Sequence, residues 1–331
     1  MNTYRICTIE GDGIGHEVVP AAVEVLEATG LSFEFIEAEA GWSCFVSTGS
    51  ALPVETLEKI KACDSVLFGA ITSPPYRVEG YFSPIRALRR ELDLYANLRP
   101  VDSWPIPASR EGIDLLIVRE NSEGMYAGRE ECDGEVATAL RVITRRASER
   151  IVRLACEQAR RRRRKLTVVH KANVLTETCG LFRRVAYEMT AGYPELEVNE
   201  LFIDAMAMRL IKDPETFDVI VTTNLFGDIL SDEAAMLVGG LGLAPSGNIG
   251  ASADVFEPVH GSAPDIAGRG IANPIATVLS AAMMLDHLNE GPTASRLRQA
   301  IRLLLKEGPK TPDLGGRATT REVTRFLAQA V

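Results

Sequence analysis

Short apolar runs of strand character alternate with helical patterns along this chain, and that alternation limits the possible folds more than any other feature. Residues 5–9 form a β-type run, 10–15 a glycine-bearing loop, and 18–28 a helical pattern that Thr29-Gly30 stops. Residues 33–36 read as strand, 53–62 as helix and 65–70 as a buried strand. The series continues with strands at 114–118, 166–170, 197–203 and 217–223, a helix at 147–159, and aspartate-bearing helices after the last two strands. Strands separated by helices need crossover connections, so the pattern predicts an α/β fold with a largely parallel sheet.

Two breaks interrupt the series. Residues 97–107 are rich in proline and read as an extended crossing, and 239–250 form a glycine-rich one. A chain of 331 residues suggests about two domains, and the breaks are where they meet. The last eighty residues or so are expected to return to α/β alternation, with a mostly apolar helix at 275–288. Net charge is −9, which argues against nucleic-acid or membrane partners. Residues 1–5 lead into a strand-like segment without an apolar leader core, and no apolar run reaches membrane-spanning length. The 6 cysteines are scattered without C-x-x-C spacing and read as reduced structural thiols of a cytoplasmic protein. The basic run 160–165 reads as a solvated helix end.

Several stretches carry chemistry. In NLFGDILSDE (224–233), Asp228 and Asp232 stand at i and i+4, so on a helix both carboxylates leave one face. Such hard oxygen donors suit Mg²⁺ or Mn²⁺; taken alone, the pair fits an acidic solvated face far better than a metal site, and the rest of the chain must decide. GDGIG (11–15) invites comparison with the dinucleotide fingerprint G-x-G-x-x-G, but His16 stands where a small residue is required. Glu37 or Glu39 only partly mimics the ribose-binding acid, so a tight functional turn is expected there and a Rossmann site is not. Arg86, Arg89, Arg99 and Arg119 lie near element ends, where arginines grip carboxylates or form surface ion pairs. EPVHGSAPDIAG (257–268) has the small and turn residues of a loop whose backbone approaches a nucleotide.

Together these stretches resemble the β-decarboxylating dehydrogenases, which act on isocitrate, 3-isopropylmalate, homoisocitrate or tartrate/malate. The carrying motifs are GDGIG (11–15), LRRELDLYANLRP (88–100), RENSEGMYAG (119–128), HKANV (170–174), NLFGDILSDEAA (224–235), GGLGLAPSGNIG (239–250) and EPVHGSAPDIAGRGIANP (257–274), in order over nearly the whole chain. Within the family the pattern is most similar to bacterial homoisocitrate dehydrogenases. The resemblance implies a two-domain α/β fold that is not the Rossmann one. Residues 1–99 plus 252–331 would form a large cofactor-binding domain, and 100–251 a small domain with the dimer interface and metal aspartates. It also implies homodimers, some members reaching tetramers, with each site in an interdomain cleft completed by the neighbouring subunit.

Residue roles follow from the same resemblance. Asp228 and Asp232 of one subunit and Asp204 of the other would hold Mg²⁺ or Mn²⁺ against the substrate hydroxyl and its neighbouring carboxylate. Lys171 would take the hydroxyl proton, for which nearby cations would lower its pKa, and Tyr126 would reprotonate the carbon after CO₂ leaves. Arg89, Arg99 and Arg119, with Asn173, would hold the malate-like part. Ile71, Thr72, Asn224, Glu257, His260, Gly261, Ser262, Ala263, Asp265, Ile266 and Asn273 would bind the cofactor. Asp265 predicts NAD, because a carboxylate accepts from ribose hydroxyls and repels a 2′-phosphate. Ser83 and Arg86 would set specificity. Arg86 suits a third carboxylate and opposes an isopropyl group. Ile85, where many isocitrate enzymes carry asparagine, suits a longer arm. The expected reaction is therefore NAD-dependent oxidative decarboxylation of homoisocitrate, and of isocitrate as well. Isopropylmalate or tartrate/malate are alternatives, and a catalytically silent regulatory subunit is a distant one. A K⁺ requirement is left open.

Overall fold

The computed structural model describes residues 3–331, so Met1 and Asn2, where the leader reading begins, lie outside it. The chain divides into two compact units. The first runs to Leu92 and takes in Trp104–Ser109 and Gly239–Val331; the second holds Asp93–Ser103 and Arg110–Val238.

The chain begins the first unit with β1 (Thr3–Gly11), α1 (Gly15–Glu27), β2 (Ser32–Glu37), α2 (Trp42–Thr48), α3 (Val54–Lys61), β3 (Ser65–Ala70) and α4 (Pro84–Glu91). Strand β1 pairs in parallel with both β2 and β3, as crossover helices require. Every residue of β3 is buried, which is why it reads as a continuous apolar run. Helix α1 buries Val18, Val19, Ala22, Val25 and Leu26, the stripe its spacing predicts.

The second unit contains β4 (Ala96–Asp102), β5 (Asp114–Glu120), β6 (Glu130–Cys132), β7 (Ala137–Ala139), α5 (Arg145–Arg161), β8 (Lys165–His170), α6 (Thr178–Thr190), β9 (Glu197–Phe202), α7 (Ile203–Lys212), β10 (Val219–Thr222) and α8 (Asn224–Met236). Its strand order is β4-β5-β10-β8-β9. All these pairs are parallel except β4–β5. The proline-rich 97–107 is thus a crossing only in its second half. Residues 96–102 make a seven-residue antiparallel ladder with β5, which outweighs the one donor Pro100 lacks. Strands β6 and β7 form an exposed hairpin. The basic run is more than a solvated helix end. Arg162 donates to Asp218 Oδ1 (2.8 Å) and Asp114 Oδ1 (2.5 Å), and Arg163 to Asp114 Oδ2 (2.9 Å). Asp218 is buried, so the run fastens the end of α5 to the sheet.

The chain re-enters the first unit with β11 (Pro245–Ile249), β12 (Val255–Pro258), α9 (Ile275–His287), α10 (Gly291–Glu307) and α11 (Thr320–Ala330). Strand order there is β2-β1-β3-β12-β11, with β12 antiparallel to β11. The boundaries differ from those drawn on the sequence, and strand pairing is the reason. Residues 93–99 go with the second unit through β4–β5, and 239–251 with the first through β11–β12. The expected alternation also stops early: past Pro258 the described residues contain helices and no strand. Helix α9 is buried on nearly all sides, consistent with its uniformly apolar sequence.

Candidate functional site

In the second unit, six of the expected residues meet at α8: Asn224, Asp228, Asp232, Arg99, Arg119 and Tyr126. Asp228 and Asp232 lie one turn apart, as their spacing requires. Strand β5 ends by delivering Arg119, which is 1% exposed. Its Nε and Nη2 donate to Asn224 Oδ1 (3.1 and 2.8 Å) and its Nη1 to Asp228 Oδ1 (2.5 Å). Gly227 makes this approach possible, because a Cβ there would stand 2.6 Å from Arg119 Cγ. Strand β4 brings Arg99, whose Nη1 donates to Asp232 Oδ1 (3.0 Å) and Ser231 Oγ (2.7 Å), while Nε donates to Asn97 Oδ1 (2.7 Å). Arg99 Nη2 also lies 3.5 Å from Asp228 Oδ1. Tyr126 sits in a short 3₁₀ turn (Met125–Ala127) entered through the positive-φ Gly124, and its hydroxyl donates to Asp228 Oδ2. Arg119 lies 5.2 Å from the centre of the Tyr126 ring. Burial pushes the Asp232 carboxyl up, opposed by Arg99 and reinforced by its like-charged neighbour Asp228.

A second pair forms elsewhere in this unit. Lys171, just past β8, donates its Nζ to Asp204 Oδ1 (2.5 Å) in the first turn of α7. This hydrogen bond holds the Asp204 carboxyl below its ordinary range. The hydrogen-bond partner of Lys171 is thus a carboxylate, which sequence reasoning did not name. Asn173 is exposed close by in sequence. Asp204 does not join Asp228 and Asp232, and among the described residues no three acidic, histidine or cysteine side chains converge as a metal cluster.

In the first unit, Ser83 precedes α4 at its N-cap position without spending its hydroxyl on a cap. Arg86 is exposed, Arg89 half-buried, and Ile71 and Thr72 follow β3. The 257–273 loop packs Ala263 and Ile266 on Ile14, Val18 and Ala272. Its Ser262 carbonyl accepts from Ile14 N (2.9 Å), and its Ser262 hydroxyl accepts from Thr72 Oγ1 (2.8 Å). Ala263 has φ +39°, a left-handed geometry that marks a specialised turn. His260 has a buried Nε2 without a partner, and burial holds its pKa below the usual value. Glu257 accepts from Asn248 (2.8 Å), and Asn273 donates to Asp313 (2.9 Å). Asp265 is exposed, and a Cβ on Gly261 would meet nothing within 4 Å. Open backbone beside an unspent ring nitrogen fits a nucleotide. The i, i+4 carboxylates fit a hard divalent cation.

Sequence reasoning gave no separate role to Gly227, Asn97 or Ser231, although each lies in a motif it singled out; Gly227 left the plainest signal, a glycine inside a helical run.

The family model described as isocitrate/isopropylmalate dehydrogenase matches residues 5–327. The isocitrate/homoisocitrate dehydrogenase of Thermus thermophilus is 60% identical over 329 residues, 99% of this chain and 98% of that one. The 3-isopropylmalate/3-methylmalate dehydrogenase of Methanocaldococcus jannaschii is 52% identical, covering 99% of each. Among solved structures, the isocitrate dehydrogenase of Methylococcus capsulatus superposes with TM-score 0.94 at 43% identity, over 99% of both chains.

Proposed function

The chain belongs to the isocitrate/isopropylmalate dehydrogenase family, and on that premise we propose that it catalyses NAD-dependent oxidative decarboxylation of homoisocitrate to 2-oxoadipate and CO₂, with isocitrate as a second substrate. This is a step of lysine biosynthesis by the aminoadipate route, carried out in the cytoplasm. The observation that carries the reading is the convergence of Arg99, Arg119 and Tyr126 on Asp228 and Asp232.

Asp228 and Asp232, with Asp204 from a second copy of the chain, would hold Mg²⁺ or Mn²⁺. The cation supplies Lewis-acid stabilisation of negative charge on the substrate oxygens, and NAD supplies the hydride acceptor. Lys171 Nζ takes the proton of the substrate hydroxyl. Tyr126, already oriented as a donor in this structure, gives a proton to the carbon that loses CO₂. Arg89, Arg99, Arg119 and Asn173 orient the malate-like carboxylates, and the fixed guanidinium groups stabilise charge without reorganising. The 257–273 loop, with Ile71, Thr72 and Asn224, binds the nucleotide, and Asp265 favours NAD over NADP. Shared sites require a homodimer. Exposed apolar side chains on α7 (Met208, Ile211) and on α8 (Ile229, Met236) support one.

Arg86 decides the substrate. It is exposed, and among the described residues it forms no ion pair, so it can receive a third carboxylate. A panel of homoisocitrate, isocitrate and isopropylmalate with Mg²⁺ or Mn²⁺ and either cofactor, read by NADH or NADPH absorbance, tests the assignment. Both tricarboxylates should turn over with NAD faster than isopropylmalate; the reverse order would sink the role given to Arg86.

A further inference from the structure

We propose that Asp12 is a positioning residue for the nucleotide: it fixes Thr72, and through Thr72 the Ser262 turn, in the geometry that binds NAD. The proposal rests on reading the 257–273 loop as the nucleotide site.

Asp12 is 2% exposed, between two positive-φ glycines. Its Oδ2 accepts from Trp42 N (2.7 Å) and Thr72 N (2.9 Å), and its Oδ1 from Ser43 N (2.8 Å). An ionised carboxylate only accepts, so one side chain satisfies three backbone donors from two separate segments. Nothing larger than hydrogen fits beside it, since a Cβ on Gly41 would lie 2.6 Å from Asp12 Oδ2. Thr72 is then a three-way junction. Its N–H goes to Asp12, its hydroxyl donates to Ser262 Oγ (2.8 Å), and its carbonyl accepts from Tyr81 OH (3.0 Å). Ser262 is held from the other side by Ile14 N, two residues beyond Asp12. A Cβ on Gly13 would stand 2.2 Å from the Ser262 carbonyl oxygen, so this contact too depends on the glycines flanking Asp12. Filling a core volume needs no buried charge; aligning three amides from separate segments does.

The test is Asp12→Asn, a near-isosteric change whose amide must turn a donor toward at least one backbone N–H. KM for NAD should rise about tenfold or more, with kcat at saturating NAD held within about threefold, the range seen when a supporting hydrogen bond is lost. A KM for NAD within about twofold of the unaltered protein, whatever the loss of thermal stability, overturns the proposal. Where Asp12→Asn does not fold, Thr72→Val decides. It cuts the hydroxyl link to Ser262 while keeping the Thr72 N–H on Asp12, and should raise KM for NAD about threefold; an unchanged KM overturns the proposal. NADH titration calorimetry on the unaltered protein separates the two readings. No binding there removes the nucleotide site itself, whereas normal binding there with unchanged variants removes the role of Asp12 alone.

Discussion

The charged cluster on α8 and the loop from Glu257 to Asn273 are built from opposite materials. The cluster is made of long ionised side chains whose charges are paired with each other, Arg119 to Asp228 and Arg99 to Asp232. The loop is made mostly of backbone and small residues around an unspent imidazole nitrogen, and none of its few charged side chains pairs with another within it. A cluster of paired charges is set by electrostatics and resists removal of one partner. A loop of backbone contacts is set by sterics and resists addition of atoms. Each therefore has its own way of failing.

The largest expected effect tests whether the cluster is complete within one chain. Asp204 is 65% exposed at its side chain, so Asp204→Asn should leave the fold intact. It should lower turnover roughly 10³-fold, the loss of several kcal/mol of charge stabilisation. Mixing it with an inactive Asp228→Asn protein should restore up to about a quarter of normal activity, because half of random dimers then carry one intact site of two. Absence of any recovery after refolding the mixture would contradict a shared site. Next in size, Tyr126→Phe should reduce kcat about 10²-fold with little change in KM; a mainly KM effect would make Tyr126 a binding residue.

Two smaller effects probe how each material bears change. Gly227→Ala thrusts a methyl group at Arg119 and should cost about 1–3 kcal/mol in urea unfolding, against the intrinsic helix preference for alanine. No loss of stability would mean that Arg119 gives way easily. Glu123, buried beside the Tyr126 turn, has its carboxyl pushed by burial from 4.5 to about 7, with Glu120 adding to it and the Thr144 N–H opposing. The folded state then holds the proton more tightly than the unfolded one. Stability is full below about pH 4.5 and declines as pH rises through about 7. Glu123→Gln should flatten that decline, a change of the order of 1 kcal/mol in unfolding free energy followed across this range.

What could be read from sequence follows the same division. Asp228 and Asp232 were legible because helical spacing alone places them on one face. The strands were legible because burial on both faces demands continuous apolar runs, as in β3. Strand β4 was hidden because its ladder is antiparallel and contains Pro100, so its partner and not its own pattern makes it a strand. The carboxylate partner of Lys171 was hidden because β8 and α7 meet only through the fold. Asp12 was hidden for a related reason: its three amide donors come from residues 30 to 60 positions away, and no local spacing encodes them.

The bond from the Tyr81 hydroxyl to the Thr72 carbonyl has one more consequence. It closes the intervening segment at its base, so Ser73–Gly80, the eight residues between these anchors, is a loop whose ends are already fixed. Most of Ser73–Gly80 is exposed. Lengthening such a loop costs only about 0.6 kcal/mol per doubling of its length. This segment is therefore where residues can be inserted, deleted or exchanged at little risk to the Ser262 turn, while the helix that begins at Pro84 stays in register behind it.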